Sequence, residues 1–155
     1  MNFGNEIMKV KSLKRVMKQR SPITSIMTKN VITLNYTDDL VTAEKLFKEF
    51  HIRHIPVVNG KEIIGMLSYT DLLRISFADA VYDDEKKVDT VVYNMFTIEQ
   101  VMAKNLVTVN TSATIKEVAE ILSKNEFHAL PVLKNDRLVG IVTTTDLILY
   151  LLKQF

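Results

Sequence analysis

A chain of 155 residues, 47% hydrophobic and 25% charged, has the size and composition of one ordinary globular domain and not of a disordered segment. The absence of cysteine excludes disulfides, thiol nucleophiles and thiolate metal sites, and it suits a reducing compartment, so a cytoplasmic location is expected. A net charge of +2 is too small to mark a polyanion-binding protein, no stretch reaches the roughly 20 apolar residues of a membrane helix, and residues 1–20 lack the apolar core of a signal peptide.

The chain opens on a basic segment, residues 1–21, in which Lys9, Lys11, Lys14, Arg15, Lys18 and Arg20 face Glu6 alone. Val10, Leu13, Val16 and Met17 share one face at helical spacing, so the segment reads as amphipathic with solvated lysines on the other face. A nucleic-acid or anionic-lipid contact is the alternative. Base stacking would call for aromatics among these basic residues, and there are none, which argues against nucleic acid.

From Met27 onward the sequence repeats itself at a constant offset of 75 residues, starting again at Met102. Lys29-Asn30 superposes on Lys104-Asn105, Thr33 on Thr108, Pro56-Val57 on Pro131-Val132, Gly65 on Gly140 and Thr70-Asp71-Leu72 on Thr145-Asp146-Leu147. A unit of about 50 residues builds a poor core alone, so two copies packed together make one domain-sized object.

Within the first copy, Val31 to Leu34 predicts a strand closed by the turn-forming Asn35 to Asp38. Leu40, Ala43, Leu46, Phe47 and Phe50 then predict a helix capped by Thr37 or Asp38; Ile115, Val118, Ala119 and Leu122 repeat it after Ser112. Next come strands opened by proline, Pro56-Val57-Val58 and Pro131-Val132-Leu133, since a strand's first residue needs no ladder donor. Hairpins across Asn59-Gly60 and Asn135-Asp136 lead to strands over Ile63 to Leu67 and Leu138 to Val142. Each strand runs into an apolar helix, with Leu72, Leu73, Phe77, Ala80 and Val81 in the first copy and Leu147 to Leu152 in the second.

Between the copies, Asp83 to Lys87 reads as a solvated surface joint, and Val88 to Phe96 resumes a helical pattern. The expected organisation is a basic segment over 1–21, a repeat over 22–80, a connection over 81–96 and a repeat over 97–155. The class is mixed α/β (α+β), each unit reading β-α-β-β-α.

Two junctions carry the chemistry: Gly65-Met66-Leu67-Ser68-Tyr69-Thr70-Asp71 and Gly140-Ile141-Val142-Thr143-Thr144-Thr145-Asp146. A hydroxyl and an acid at a helix start are what ordinary capping requires. Free N–H groups there, joined by a hydroxyl, also make a ready anion site. Gly65 and Gly140 mark a close backbone approach, to a ligand or to a neighbouring strand.

These repeats resemble paired CBS domains, the motif named for cystathionine beta-synthase, over roughly residues 22–153. The resemblance implies a pseudo-twofold module whose repeats enclose two clefts for an adenosine compound such as AMP, ADP, ATP or S-adenosylmethionine. It implies that Asp71 and Asp146 take the ribose hydroxyls, while Ser68 and Thr143, with Thr70 and Thr145 beside them, reach the phosphate. A carboxylate can accept from both vicinal hydroxyls, and such charge-assisted bonds are stronger than neutral ones. Backbone contacts to adenine are implied near Ile32 and Thr33, near Val107, and near Ile55 and Leu130.

Arg53 and His128, three residues before each proline, are implied phosphate contacts, with His54 beside Arg53; the other reading is a polar loop end. The counterpart of His54 is Ala129, so the two sites are not equivalent. His51, His54 and His128 lack acidic companions, so no metal site is expected, and magnesium would enter only with ATP. No phosphate-binding Gly-rich loop and no Gly-x-Ser-x-Gly is present, so no catalysis and no cofactor are expected.

The expected function is a stand-alone regulatory sensor of adenosine compounds that acts on an unidentified protein target. A ligand-free interaction scaffold is the alternative. A homodimer is implied, with the helices ending in Phe77 to Tyr82 and Leu147 to Leu152 as interface material and core packing as their other use.

Overall fold

The computed structural model describes residues 20–78 and 93–155, so the basic segment up to Gln19, the end of the expected helix with Ala80, Val81 and Tyr82, the joint at Asp83 to Lys87 and the pattern from Val88 to Val92 lie outside the described residues. The first repeat folds as β1 (Leu34–Asn35), α1 (Leu40–Phe50), β2 (His54–Asn59), β3 (Glu62–Ser68) and α2 (Tyr69–Ala78). A one-turn helix, α3 (Ile98–Val101), follows. The second repeat gives β4 (Val109–Asn110), α4 (Ile115–Lys124), β5 (Ala129–Lys134), β6 (Arg137–Thr143) and α5 (Thr144–Leu152). The fold is α+β with two three-stranded sheets, ordered β1-β2-β3 and β4-β5-β6. β1 runs parallel to β2, β4 parallel to β5, and β2 antiparallel to β3.

The periodicities place these elements within a residue or two, with five differences. Val31 to Thr33 form no strand: pairing starts only where Leu34 meets Val57. The cap of α1 is Asp39, whose carboxylate accepts the Thr42 N–H at 2.7 Å, because Asp38 is already engaged with the Asn35 N–H at 2.8 Å. Likewise α4 starts at Thr114, which shares a reciprocal capping box with Glu117, while Ser112 is held by the Asn110 side chain. The first hairpin turns on Gly60, at φ 61°, and not on Asn59; the second turns on Asn135 and Asp136, at φ 50° and 60°, as expected.

Pro56 and Pro131 stand third in their strands and not first. Pro56 lies opposite Met66 in the antiparallel ladder. Met66 gives its N–H to the Ala103 carbonyl and accepts the Ala103 N–H, at 3.0 and 2.9 Å, so this pair needs no donor from the proline.

The residues separate into two compact units. Among the described residues, one takes 30–78, 93–107 and Asn135–Leu138; the other joins 20–29 to Thr108–Lys134 and Val139–Phe155. Each has its own core. Leu34, Leu40, Phe47, Ile55, Leu67 and Leu72 fill the first together with Ile98 and Met102. Val118, Leu122, Leu130, Val132 and Val142 fill the second together with Ile23.

The segment that opens each sequence repeat is therefore built into the unit of the other. Thr28 exchanges two backbone hydrogen bonds with Ile141, at 2.9 and 3.0 Å, and the Ile23 N–H reaches the Ala113 carbonyl at 2.8 Å. Ile98 and Ile23 are fully buried by this arrangement. Each such side chain contributes about 1.5 to 3 kcal/mol of burial.

Candidate functional site

In both units the third strand passes into its helix without a loop, and the hydroxyl residue at that point serves as helix cap. The Ser68 Oγ accepts the Asp71 N–H at 3.1 Å, and the Asp71 Oδ2 accepts from the Ser68 N–H at 3.3 Å and from the Ser68 hydroxyl. Thr143 and Asp146 repeat this geometry: the Thr143 N–H and hydroxyl donate to Oδ2 at 2.7 and 2.8 Å, and the Asp146 N–H donates to the Thr143 oxygen at 3.3 Å. Each is a reciprocal capping box with aspartate in the third position, where a carboxylate also meets the positive end of the helix.

The basic residues are tied to the same place by their backbones. The Arg53 carbonyl accepts the Tyr69 N–H at 2.9 Å, and the His128 carbonyl accepts the Thr144 N–H and hydroxyl at 3.0 and 3.2 Å. His54 lies directly opposite Ser68 in the ladder. One end of the first sheet thus gathers Arg53, His54, Ser68 and Asp71, and the corresponding end of the second gathers His128, Thr143 and Asp146. Thr70 and Thr145 are exposed on the first turn of their helices, while Asp71 and Asp146 are half-buried.

Other expected site residues are placed differently. Ile55 and Leu130 are fully buried, so their side chains belong to the cores and only their backbones remain for a ligand. Ile32, Thr33 and Val107 lie in the lead-ins to β1 and β4, outside any strand, and no hydrogen bond among the described residues ties their side chains to the junctions.

One residue at the junction was missed in the sequence reading. The Arg74 guanidinium stands 3.5 Å from the Asp71 Oδ1, one helical turn along α2. An acid three residues before an arginine on a helix is the spacing that could have revealed it. At the repeat offset its place is taken by Leu149, and among the described residues Asp146 has no cationic partner.

The Thr42 backbone N–H holds the Asp39 carboxyl below its ordinary value, and the Thr114 backbone N–H does the same for Glu117. Both effects come from hydrogen bonds to the charged form at a helix start.

A shallow groove of about 590 Å³ lies along α4, between Val109, Ala113, Glu117, Ile121 and Lys124; it includes none of the expected site residues. His51 ends α1 in the left-handed region at φ 52°. Among the described residues no three His, Asp or Glu side chains gather as a metal site would require, and no helix is long and apolar enough to cross a membrane. On α5, Leu147 and Tyr150 pack against the core, whereas Ile148, Leu149, Leu151 and Leu152 are more than half exposed.

Comparison with known proteins bears on what these junctions are. The CBS domain model matches residues 23–78 and 98–153. An uncharacterized protein of Methanocaldococcus jannaschii, MJ1404, is 30% identical over 149 residues, covering 94% of this chain and 35% of that protein. The chain spans between 24% and 51% of the length of the first curated relatives it matches. Among solved structures, the CBS domain pair of protein MJ0100, in complex with 5′-methylthioadenosine and S-adenosyl-L-methionine, superposes with a TM-score of 0.73 at 24% identity, over 87% of this chain and 98% of that one. CBSX2 in complex with AMP superposes with a TM-score of 0.71 at 19% identity, over 86% of this chain and 98% of that one.

Proposed function

Because the chain belongs to the CBS-domain family and carries the domain twice, we propose that it is a regulatory module that binds adenosine compounds at its two strand-to-helix junctions and performs no catalysis of its own. The observation that carries this reading is the doubled junction. In each unit a hydroxyl, a carboxylate, the first N–H groups of a helix and a basic residue meet at one end of a sheet.

The capping boxes engage Oδ2 of each aspartate; the Oδ1 of Asp71 meets the exposed Arg74, which a ligand can displace, and the box at Asp146 does not use Oδ1. A ribose presents two vicinal hydroxyls that can donate to such a carboxylate, and the Ser68 or Thr143 hydroxyl, on turning from its aspartate, can donate to the phosphate end. The similar structures that hold 5′-methylthioadenosine with S-adenosyl-L-methionine, and AMP, support this ligand class. Magnesium would accompany ATP, carried by its phosphates.

Output follows from differential binding: a ligand that prefers one arrangement of a repeat shifts its population by the difference in affinity, typically about 1 to 3 kcal/mol. The exposed apolar side of α5 is the surface through which we propose that the chain pairs with a second copy or meets its target. The cysteine-free composition fits a cytoplasmic setting.

The satisfied capping boxes favour a second reading, a ligand-free interaction scaffold in which Ser68, Asp71, Thr143 and Asp146 only start helices. A thermal-shift panel of AMP, ADP, ATP, S-adenosylmethionine and adenosine on the purified chain separates the two. The sensor requires at least one of these to raise the melting temperature; no shift by any of them at millimolar concentration leaves the scaffold.

A further inference from the structure

We propose that Arg74 makes the two junctions different in kind, the first selecting a phosphorylated adenosine and the second an uncharged or cationic one. This rests on the adenosine-binding reading above and adds which chemical class each junction takes. Both junctions have a capping box, an acid and a backbone tie to the preceding loop, and the charges around them differ.

At the first junction Arg74 stands 3.5 Å from the Asp71 Oδ1, with its side chain 77% exposed and that of Asp71 29% exposed. A pair so exposed holds weakly. Its guanidinium can leave the carboxylate for a better partner, and a phosphate offers two or three oxygens to the same donor fork. Arg53, exposed and tied through its carbonyl to the Tyr69 N–H, brings a second guanidinium to the same end of the sheet. Two arginines thus stand at the end of the sheet that carries Asp71, and one of them, Arg74, pairs with its carboxylate. A ribose that takes over the Asp71 Oδ1 releases Arg74 at the moment its phosphate needs a counter-charge.

At the second junction the same offset places Leu149 where Arg74 stands, and His128 where Arg53 stands. Asp146 has no cationic partner among the described residues, and an imidazole stands where the first junction has a guanidinium, whose charge is permanent. A phosphate dianion beside an uncompensated carboxylate meets like-charge repulsion with no guanidinium to offset it. An adenosine with an uncharged 5′ group avoids that repulsion, and one bearing a positive charge turns it into attraction.

The test is isothermal titration of the full chain with AMP and with adenosine, at low and at raised salt, on wild type, Arg74→Leu, Arg74→Lys, Asp71→Ala and Asp146→Ala. The expected pattern is that Asp71→Ala weakens AMP ten- to hundredfold and Asp146→Ala weakens adenosine to the same extent. Arg74→Leu should weaken AMP tenfold or more and leave adenosine unchanged, Arg74→Lys should recover part of the loss, and raised salt should weaken AMP alone. Circular dichroism melts confirm that the exposed substitutions leave the fold intact. The proposal is overturned if AMP binds Arg74→Leu as it binds wild type, or if Asp146→Ala is the variant that abolishes AMP binding. Should neither probe bind wild type at millimolar concentration, the adenosine reading falls and this proposal with it.

Discussion

The Met102 side chain occupies the space that a β-carbon on Gly65 would fill, its sulfur, Cγ and Cε all within contact of that position. Met27 does the same at Gly140. The strand glycines thus receive a methionine from the segment that opens the opposite sequence repeat, beside the bridge between Met66 and Ala103 in one unit and between Thr28 and Ile141 in the other. Close packing of a side chain against a bare backbone is a recognised use of glycine in a strand.

Gly65→Ala should therefore destabilise the protein by about 1 to 3 kcal/mol, the scale of overpacking a well-filled core. Because the obstruction is one side chain, Gly65→Ala and Met102→Ala should be strongly non-additive in a double-mutant cycle followed by urea unfolding. Additive losses would show that Gly65 answers to something other than Met102.

Ile98 is fully buried in the first unit although it lies in the second sequence repeat, and Ile23 is fully buried in the second unit although it lies in the first. Ile98→Ala and Ile23→Ala should each cost about 2 to 5 kcal/mol, as buried large-to-small changes do. Values near zero for both, from denaturant titration, would mean that the exchanged segments do not stabilise the cores they enter.

This exchange is the part of the fold that the sequence hides. Val57, Leu67 and Leu40 announce their elements by local periodicity, and the 75-residue offset pairs every element of one copy with its twin. Which core Ile23 or Ile98 joins is a non-local choice that no spacing encodes. The capping boxes were legible in type, and Thr114-x-x-Glu117 carries the plain signature, but Asp39 wins over Asp38 only because the turn claims Asp38 first. At the site, Ser68, Asp71, Thr143 and Asp146 stood out because they recur. Arg74 did not, since the feature that makes it informative is that Leu149 stands in its place.

Acid should loosen the helix starts at Asp39 and Glu117. Both carboxyls titrate below their ordinary values in the folded chain, because backbone N–H groups bind the charged form. A carboxyl shifted down on folding adds stability that is fully present above its unfolded pKa, about 4, and is lost as pH falls through the lower folded value. The melting temperature should drop across that window, and Asp39→Asn should make the drop shallower. An acid slope unchanged by Asp39→Asn would remove this cap from the account.

The exposed apolar side of α5 predicts self-association. Light scattering should give about twice the 17.7 kDa mass of the chain, and Leu151→Glu with Leu152→Glu should return it to the monomer. A wild-type chain that stays strictly monomeric at tens of micromolar would leave this face to a different protein.

The central claim is that Asp71 and Asp146 hold ligand as well as start helices, and calorimetry on Asp71→Ala and Asp146→Ala tests it most directly. Hydrogen bonds to a charged group contribute about 1.5 to 3 kcal/mol, so each variant should bind its adenosine compound ten- to hundredfold more weakly. Loss of the cap alone should cost about 0.5 to 2 kcal/mol of stability and leave the protein folded. The account predicts reduced affinity at one junction in each folded variant. Unchanged affinity in both, or no adenosine compound bound by wild type at millimolar concentration, would contradict it.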